Sequence, residues 1–213
     1  MIGIIDYRMG NLRSVQKAFE RVGAAAVVLS SPDAAAKMDR LVLPGVGAFA
    51  DGMHYLSEPR WMDAIALFIE SGKPFLGICL GMQLLFGGSQ EDAPPGGELV
   101  PGLGVLPGRV VRFAGDAYGP GKLKVPHMGW NTLQWQRDDP LMQGLSEDPA
   151  VYFVHGYYAE PDETRSETVT STTADYGRRF AASLWADNIW ATQFHPEKSQ
   201  QVGLQMLKNF ASF

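Results

Sequence analysis

FLGICLGMQ, residues 75–83, decides the fold, because a short apolar run passes there into a helical pattern through two glycines that flank a cysteine. Gly77 and Gly81 stand two residues before and after Cys79, the spacing of a nucleophile elbow, in which strand turns sharply into helix. A cysteine at a helix N-terminus favours the thiolate, the form that attacks carbonyl carbon. A lone cysteine is more often a small buried hydrophobe. Cys79 is therefore a nucleophile candidate only if the chain supplies a histidine, a group to orient it and an oxyanion hole.

The segments around the elbow predict an α/β protein with a doubly wound, mostly parallel sheet. Residues 2–5 form an apolar run typical of a strand buried on both faces, and Asn11 is a suitable N-cap for a helix that ends at Gly23. The same reasoning predicts strands at 25–29 and 40–43, a short helical piece at 31–38, and helices at 58–71 and 200–213. An antiparallel extension is predicted from short β-like runs at 110–113, 133–135, 151–154, 167–173 and 180–185. Residues 87–108, rich in Gly, Pro and acidic residues, are predicted to form a surface loop.

Composition limits the class of protein. The 213 residues are enough for one domain, spanning 1–213, and no change in composition suggests a second. A net charge of −5 with scattered basic residues argues against a nucleic-acid surface. The single cysteine cannot form an intrachain disulfide, which suits a reducing compartment. Because no apolar run approaches the roughly 18 residues of a membrane span and no signal peptide is recognisable, we expect a cytoplasmic protein with no membrane partner.

Among four histidines, His195 has the neighbours that catalysis needs. Pro196 favours an extended conformation for His195, and in extended chain side chains two residues apart face the same way, so Glu197 can reach the imidazole. An isolated His-Pro-Glu is more often a surface pair, but this one follows a predicted strand at 189–194, which favours a catalytic histidine oriented by a carboxylate. No histidine pair has the spacing of a metal site, so we expect neither a metal nor a cofactor.

The oxyanion hole has a candidate in PGVGAF, residues 44–49, directly after the third predicted strand. Gly45 and Gly47 let the backbone turn its N–H groups towards a ligand at low steric cost. The glycines also match a dinucleotide-binding fingerprint, with Asp63 near the expected acidic position. That fingerprint normally follows the first strand, and Pro44 interrupts the junction here, so the oxyanion interpretation is preferred.

With these residues assembled, the chain resembles the class I glutamine amidotransferases, and among them the glutaminase subunits of imidazole glycerol phosphate synthase, an enzyme of histidine biosynthesis. The class is carried by GICLGMQ at 77–83 and QFHPEKS at 193–199. The closer resemblance rests on five further segments, namely IDY at 5–7, MGNL at 9–12, LPGVGAF at 43–49, KVPHMGWN at 124–131 and YFVHGYY at 152–158.

The resemblance implies a role for each matching position. Cys79 would attack the side-chain amide of glutamine, His195 would shuttle protons, and Glu197 would orient His195. Backbone N–H groups would hold the oxyanion at Val46, Gly47 and Leu80. Substrate contacts are implied at Gln83, His155, Gly156 and Tyr157.

The resemblance also implies a partner, a (β/α)₈-barrel cyclase subunit that forms a heterodimer with this chain and receives the ammonia. The positions implied at that interface are Asn11, Met128, Trp130, Asn131 and Lys198. Because a Gly-Val-Gly segment can rotate its peptides, we expect the oxyanion hole to form only when the cyclase docks. A glutaminase subunit of a different synthase, or a binding subunit without catalysis, are the alternatives.

Two residues depart from the family pattern. Arg8 stands where a small glycine is usual, which places a long cation near the expected interface. Gly156 replaces the usual hydroxyl residue between His155 and Tyr157, so only a backbone contact is expected there.

Overall fold

The computed structural model describes residues 1–58 and 60–213, which form a central sheet, two smaller sheets and helices on both faces of the central one. In chain order the strands are β1 Ile2–Ile5, β2 Ala26–Leu29, β3 Arg40–Gly45, β4 Phe75–Cys79, β5 Gly88–Ser89, β6 Val100–Pro101, β7 Gly108–Arg112, β8 His127–Thr132, β9 Gln134–Trp135, β10 Ala150–His155, β11 Tyr157–Pro161, β12 Thr170–Asp175, β13 Arg179–Ala186 and β14 Ile189–Thr192. The helices are α1 Leu12–Arg21, α2 Phe49–Ser57, α3 Trp61–Glu70, α4 Leu80–Leu84, α5 Glu163–Val169 and α6 Gln200–Ser212.

The central sheet has eight strands in the order β2-β1-β3-β4-β14-β13-β12-β9. The first five are parallel, and the apolar runs of β1, β3, β4 and β14 are buried because helices cover both faces, whereas the edge strand β2 buries only Leu29. The last three join antiparallel, so the doubly wound core and its antiparallel extension are confirmed. The runs predicted at 110–113 and 151–154 do not extend this sheet, because they pair with other strands in the two smaller sheets. Parallel strands end at one edge of the sheet, and that edge brings the ends of β3, β4 and β14 together.

The core lies on both faces of this sheet. On one face α1 and α6 pack through Phe19 and Phe210, whose ring centroids are 6.2 Å apart. On the other face α2, α3 and α4 bury residues such as Trp61 and Phe49. The two smaller sheets, β10-β8 and β11-β7-β5-β6, stand beside the central one. Among the described helices, none combines the length and the apolar character needed to cross a membrane.

Several predicted boundaries are confirmed within a residue or two, and three further predictions are wrong in part. The helix predicted at 58–71 begins only at Trp61, because Arg60 adopts a left-handed conformation with φ of 61°; Pro59, in that predicted range, lies outside the described residues. The helix α2 before it was not predicted. Asn11 occupies the N-cap position of α1, but its side chain makes no capping hydrogen bond.

The other two wrong predictions lie after the elbow. Residues 87–108 are not only a surface loop, since they contain β5 and β6 and bury Ser89. The backbone N–H of Phe49 donates to Glu91 Oε2 at 3.0 Å, which ties this segment to α2. The strand predicted at 167–173 starts at Thr170, because helix α5 continues to Val169.

Candidate active site

Cys79 stands at the junction of β4 and α4, in a backbone conformation that identifies a nucleophile elbow. Its φ of 54° and ψ of −108° are unusual for a residue other than glycine, and such strain persists only where the surrounding structure enforces it. A Cβ on Gly81 would overlap the carbonyl oxygen of Leu43 on the neighbouring strand, so the turn requires glycine there. Helix α4 has only five residues, and Cys79 is 6% exposed.

His195 follows β14 and is held in the predicted extended conformation, with φ of −103° and ψ of 98°. Its Nδ1 lies 2.8 Å from Glu197 Oε1, and both side chains are almost fully buried. The backbone of His195 is fixed as well, because its N–H donates to the carbonyl of Tyr152 and its carbonyl accepts from the Ser199 hydroxyl. The pairing predicted from spacing two therefore exists, and it leaves Nε2 with no hydrogen-bond partner among the described residues.

The electrostatic surroundings of His195 favour the protonated ring. Burial lowers the pKa of its ring, but the charge of Cys79 and the Glu197 carboxylate, which is hydrogen-bonded to Nδ1, outweigh burial and raise the pKa to about 10. The ring is therefore protonated at neutral pH. A protonated imidazole beside a thiolate can pass its proton to a leaving amine, which is the role of a general acid.

The predicted oxyanion segment lies directly beside the elbow. In the register of β3 with β4, Gly45 is opposite Cys79. A Cβ on Gly45 would come within 2.8 Å of Leu80 Cβ and 3.1 Å of the Gly81 nitrogen, so the two backbones touch here. Leu80 opens α4, and the first N–H groups of a helix have no partner within it. Gly47 has a φ of 106°, in the region that favours glycine, and Val46 is exposed.

The predicted substrate residues are joined to one another inside the protein. Gln83 Nε2 donates to the Tyr157 carbonyl at 2.9 Å, and His155 Nδ1 lies 2.8 Å from the same carbonyl oxygen. The other nitrogen of His155 lies 3.1 Å from His127 Nδ1, so both of its ring nitrogens are occupied. The Gly156 carbonyl accepts from the N–H of Phe113. Side-chain contact between His155 and a substrate would therefore require one of these bonds to break.

Two residues of this region had no predicted role, Gln193 and His127. Gln193 is fully buried, and its Nε2 lies 3.8 Å from Cys79 Sγ while its Oε1 accepts from Gln83 at 3.0 Å. It directly follows β14 and precedes His195 by two residues. No comparable signal identified His127, because its partner His155 is 28 residues away in the sequence.

His127 and His155 are buried without a charged partner, in contrast to His195. Burial lowers the pKa of His127 to about 4 and that of His155 to about 3. We therefore expect nitrogen NMR of the labelled chain to show both rings neutral at pH 5.5 and His195 protonated at pH 8. Cys79→Ala should lower the pKa of His195, since Cys79 is the main group raising it. An unchanged His195 titration in that variant would contradict the assignment.

These pKa values also set the sign of the pH dependence of stability. His195 has a folded pKa above its ordinary value of about 6.5. Its contribution to the free energy of unfolding is therefore complete below about pH 6.5 and is lost as the pH rises through about 10. For His127 and His155 the folded pKa is below the ordinary value. As the pH falls below about 6.5, these two rings are therefore protonated in the unfolded chain before they are protonated in the folded one. Stability should therefore fall as the pH decreases from about 6.5 towards 4.

The predicted interface residues lie on the surface next to the site. Along β8 the side chains alternate, with His127 buried and Met128 and Trp130 exposed by 63% and 50%. The Trp130 ring is 6.1 Å from that of Tyr152, and Lys198 Nζ is 6.0 Å from the centre of the same tyrosine ring. Met128, Trp130, Tyr152 and Lys198 are called the β8 patch below. Asn131 donates to the Asp175 carbonyl, and Asn11 is exposed at the start of α1.

The two departures from the family pattern have simple structural descriptions. Arg8 has a φ of 69°, a conformation in which glycine is favourable, and its guanidinium lies 5.7 Å from the centre of the Tyr55 ring. Gly156 does not have a left-handed conformation, and a Cβ there would meet its nearest neighbours at 3.6 and 4.0 Å. A side chain therefore fits at Gly156, whereas Arg8 occupies a place where most residues are strained.

Comparison with known proteins agrees with this geometry. A family model described as "Glutamine amidotransferase class-I" matches residues 3–212. The chain is 56% identical over 211 residues to the imidazole glycerol phosphate synthase subunit HisH of Syntrophotalea carbinolica, covering 99% of this chain and 98% of that protein. It is 52% identical over 211 residues to the subunit of the same name from Geobacter metallireducens, with 99% and 97% covered. The corresponding Aquifex aeolicus subunit is 48% identical over 208 residues, with 97% and 94% covered.

Solved structures with much lower identity share the fold. A crystal structure described as a glutamine amidotransferase superposes with a TM-score of 0.71 at 20% identity, covering 100% of this chain and 99% of that one. The structure of PurLQS from Thermotoga maritima also gives a TM-score of 0.71, at 18% identity, covering 98% of this chain and 94% of that one. The sheet with its antiparallel extension is therefore an arrangement found in other proteins of this kind.

Proposed function

The chain belongs to the class I glutamine amidotransferases and is a glutaminase subunit of imidazole glycerol phosphate synthase, and we propose that Cys79, His195 and Glu197 are the residues that hydrolyse glutamine. The observation that carries this proposal is the buried pair of His195 and Glu197 at 2.8 Å, placed at the same sheet edge as a strained cysteine. The pathway served is histidine biosynthesis.

In the first half of the reaction the Cys79 thiolate attacks the side-chain amide carbon of glutamine. The carbonyl oxygen becomes an oxyanion, for which the N–H of Leu80 and one from the Val46–Gly47 segment are the donors. His195, protonated on both ring nitrogens, gives its Nε2 proton to the amide nitrogen as the C–N bond breaks. Ammonia leaves and a glutamyl thioester remains on Cys79. Glu197 stabilises the imidazolium and fixes the ring through Nδ1.

In the second half the neutral His195 takes a proton from water, and the resulting hydroxide attacks the thioester carbon. The tetrahedral intermediate collapses, the C–S bond breaks, and glutamate leaves with the regenerated Cys79 thiolate. The proton taken from water restores the imidazolium, so the pair returns to its starting state. Gln83 and the backbone of residues 155–157 border this space and would hold the substrate.

The partner that we propose is a (β/α)₈-barrel cyclase, bound over the β8 patch, with Asn11 and Asn131 at its margin. The exposed Met128 and Trp130 are of the residue types that are enriched in protein interfaces. Direct transfer of ammonia to the cyclase is chemically useful, since ammonia released into neutral water would be protonated and lose its lone pair. The cyclase would use it to form imidazole glycerol phosphate and an aminoimidazole carboxamide ribotide in the cytoplasm.

The test of this function is a glutaminase assay of the chain alone, with the cyclase, and with the cyclase and its nucleotide substrate. Cys79 is almost fully buried in the free chain, and Gly47 can rotate its peptide, so we expect slow hydrolysis alone and fast hydrolysis only in the loaded complex. Fast turnover by the isolated chain would contradict the dependence on docking. Stimulation by a different synthase, and none by the cyclase, would favour the alternative partner.

Trp130→Ala should weaken binding to the cyclase, because a half-exposed tryptophan in the centre of a patch is a typical interface hot spot. We expect a loss of about 2 kcal/mol, or roughly 30-fold in Kd, by titration calorimetry. Trp135→Ala is the matched control, because Trp135 is also exposed but lies on β9 outside the β8 patch. Equal effects of the two substitutions would place the interface elsewhere.

A further inference from the structure

The side chain of Gln193 lies between the reactive sulfur and a buried series of hydrogen bonds. Its Nε2 is 3.8 Å from Cys79 Sγ, its Oε1 is 3.0 Å from Gln83 Nε2, and it is fully buried. The mechanism described above makes no use of this residue. A side-chain amide has a donor end and an acceptor end of almost the same shape, so its chemical effect depends on which end faces the sulfur.

The backbone carbonyl of Tyr157 decides that orientation. A carbonyl oxygen can only accept, so Gln83 must present its NH₂ group to Tyr157, at 2.9 Å. The same NH₂ group lies 3.0 Å from Gln193, which must therefore present its oxygen to Gln83. The NH₂ group of Gln193 is left facing Sγ. If the Gln193 amide were flipped, its NH₂ group would face the NH₂ group of Gln83, and its oxygen would face the thiolate. Both contacts are unfavourable.

His155 bonds to the same carbonyl, and His127 bonds in turn to His155. His155 Nδ1 is 2.8 Å from the Tyr157 oxygen, so Nδ1 carries the hydrogen and Nε2 is an acceptor. His127 Nδ1, at 3.1 Å from that Nε2, must then donate, and His127 Nε2 accepts from Asn131 Nδ2 at 3.4 Å. The donated hydrogens therefore run in one direction, from Asn131 through His127 and His155 to the Tyr157 carbonyl. The carbonyl is fixed by two donors, and it keeps Gln83 from rotating.

We propose that Gln193 is a further catalytic residue of the glutaminase, whose side-chain NH₂ donates a hydrogen bond to the Cys79 thiolate. The proposal rests on Cys79 being the nucleophile, as set out above. In the proposed mechanism the sulfur is a thiolate when it attacks and again when it leaves the thioester, but it is a neutral, weak acceptor while it is bonded to the glutamyl carbon. The bond from Gln193 is therefore strongest in the two states in which the thiolate must be stabilised.

The test uses Gln193→Met, which keeps the length of the side chain and removes the donor. Because Cys79 is the only cysteine in the chain, iodoacetamide reports on this sulfur alone. We expect the midpoint pH of alkylation to rise by about one unit, so that alkylation below the midpoint is about tenfold slower. In the complex with the cyclase, kcat for glutamine hydrolysis should fall about tenfold with KM nearly unchanged. Gln201→Met, on the exposed surface of α6, should match the wild type.

A wild-type alkylation midpoint in folded Gln193→Met would overturn the proposal. If that variant does not fold, the side-chain ¹H–¹⁵N signals of Gln193 in the wild-type chain give a second answer. They should shift with the same midpoint as alkylation, and signals that do not change through this range would refute the hydrogen bond. Failure of the proposed function would give a different result, because a variant without Cys79 would then keep its glutaminase activity.

Discussion

Cys79→Ser should abolish synthesis from glutamine while synthesis from added ammonium salt continues. A serine hydroxyl is not ionised at neutral pH, and the neutral hydroxyl is a much weaker nucleophile than the thiolate that it replaces. We expect glutamine hydrolysis to fall by about 10⁴-fold or more, in line with the loss of other catalytic nucleophiles. Product formation by the complex, with either nitrogen source, measures both activities in one assay.

The controls for this experiment separate chemistry from folding. Cys79→Ala should give the same loss, and both variants should bind the cyclase with the wild-type Kd, because Cys79 is buried and is not one of the β8-patch residues. Loss of both activities together would mean that the substitution disturbs the complex. Retention of glutamine-dependent synthesis would mean that another group is the nucleophile.

Gly81→Ala should destabilise the fold more than any other single methyl group added to the elbow. The new Cβ would overlap the backbone carbonyl of Leu43, and this carbonyl belongs to β3, which is paired with β4 on one side and β1 on the other. Backbone in the middle of a sheet cannot move aside as a side chain can. We expect a loss of about 3 kcal/mol or more in the free energy of unfolding, measured by urea denaturation.

Gly156→Ala is the matched control, because its Cβ would meet no atom closer than 3.6 Å and its backbone is not left-handed. Its expected effect is small and favourable, about 0.5 kcal/mol, since alanine restricts the unfolded chain more than glycine does. A loss for Gly81→Ala no larger than that for Gly156→Ala would show that β3 and the elbow can separate at little cost. The close packing of the elbow against β3 would then be incorrect.

The sequence pattern predicted the elements in which the same positions are buried along the whole element. The strand at Ile2–Ile5 is apolar throughout and lies between two other strands, and α6 has a single apolar stripe, so both were predicted almost to the residue. Helix α2 was missed because Gly52 interrupts its pattern. The structure explains that glycine by the close approach of α4, where a Cβ on Gly52 would lie 3.1 Å from Leu84.

Some active-site residues could also be predicted from local spacing, whereas others could not. His195 and Glu197 were paired by a local rule for residues two apart on an extended segment. The pair exists, but only His195 is extended, because Glu197 lies in a 3₁₀ helix at Pro196–Lys198. Gln83 was proposed from the resemblance alone, and its real neighbours could not be predicted, because the Tyr157 carbonyl is 74 residues away and Gln193 is 110 residues away. Contacts at such separations follow from the packing of the sheets and not from any local pattern.

The most direct test of the account is covalent labelling of the complex by an electrophilic glutamine analogue, followed by mass spectrometry. The account predicts one adduct per chain, located on Cys79, formed faster when the loaded cyclase is bound. Labelling should remove synthesis from glutamine and leave synthesis from ammonium salt. An adduct on another residue, or a fully active glutaminase with Cys79 blocked, would contradict the account.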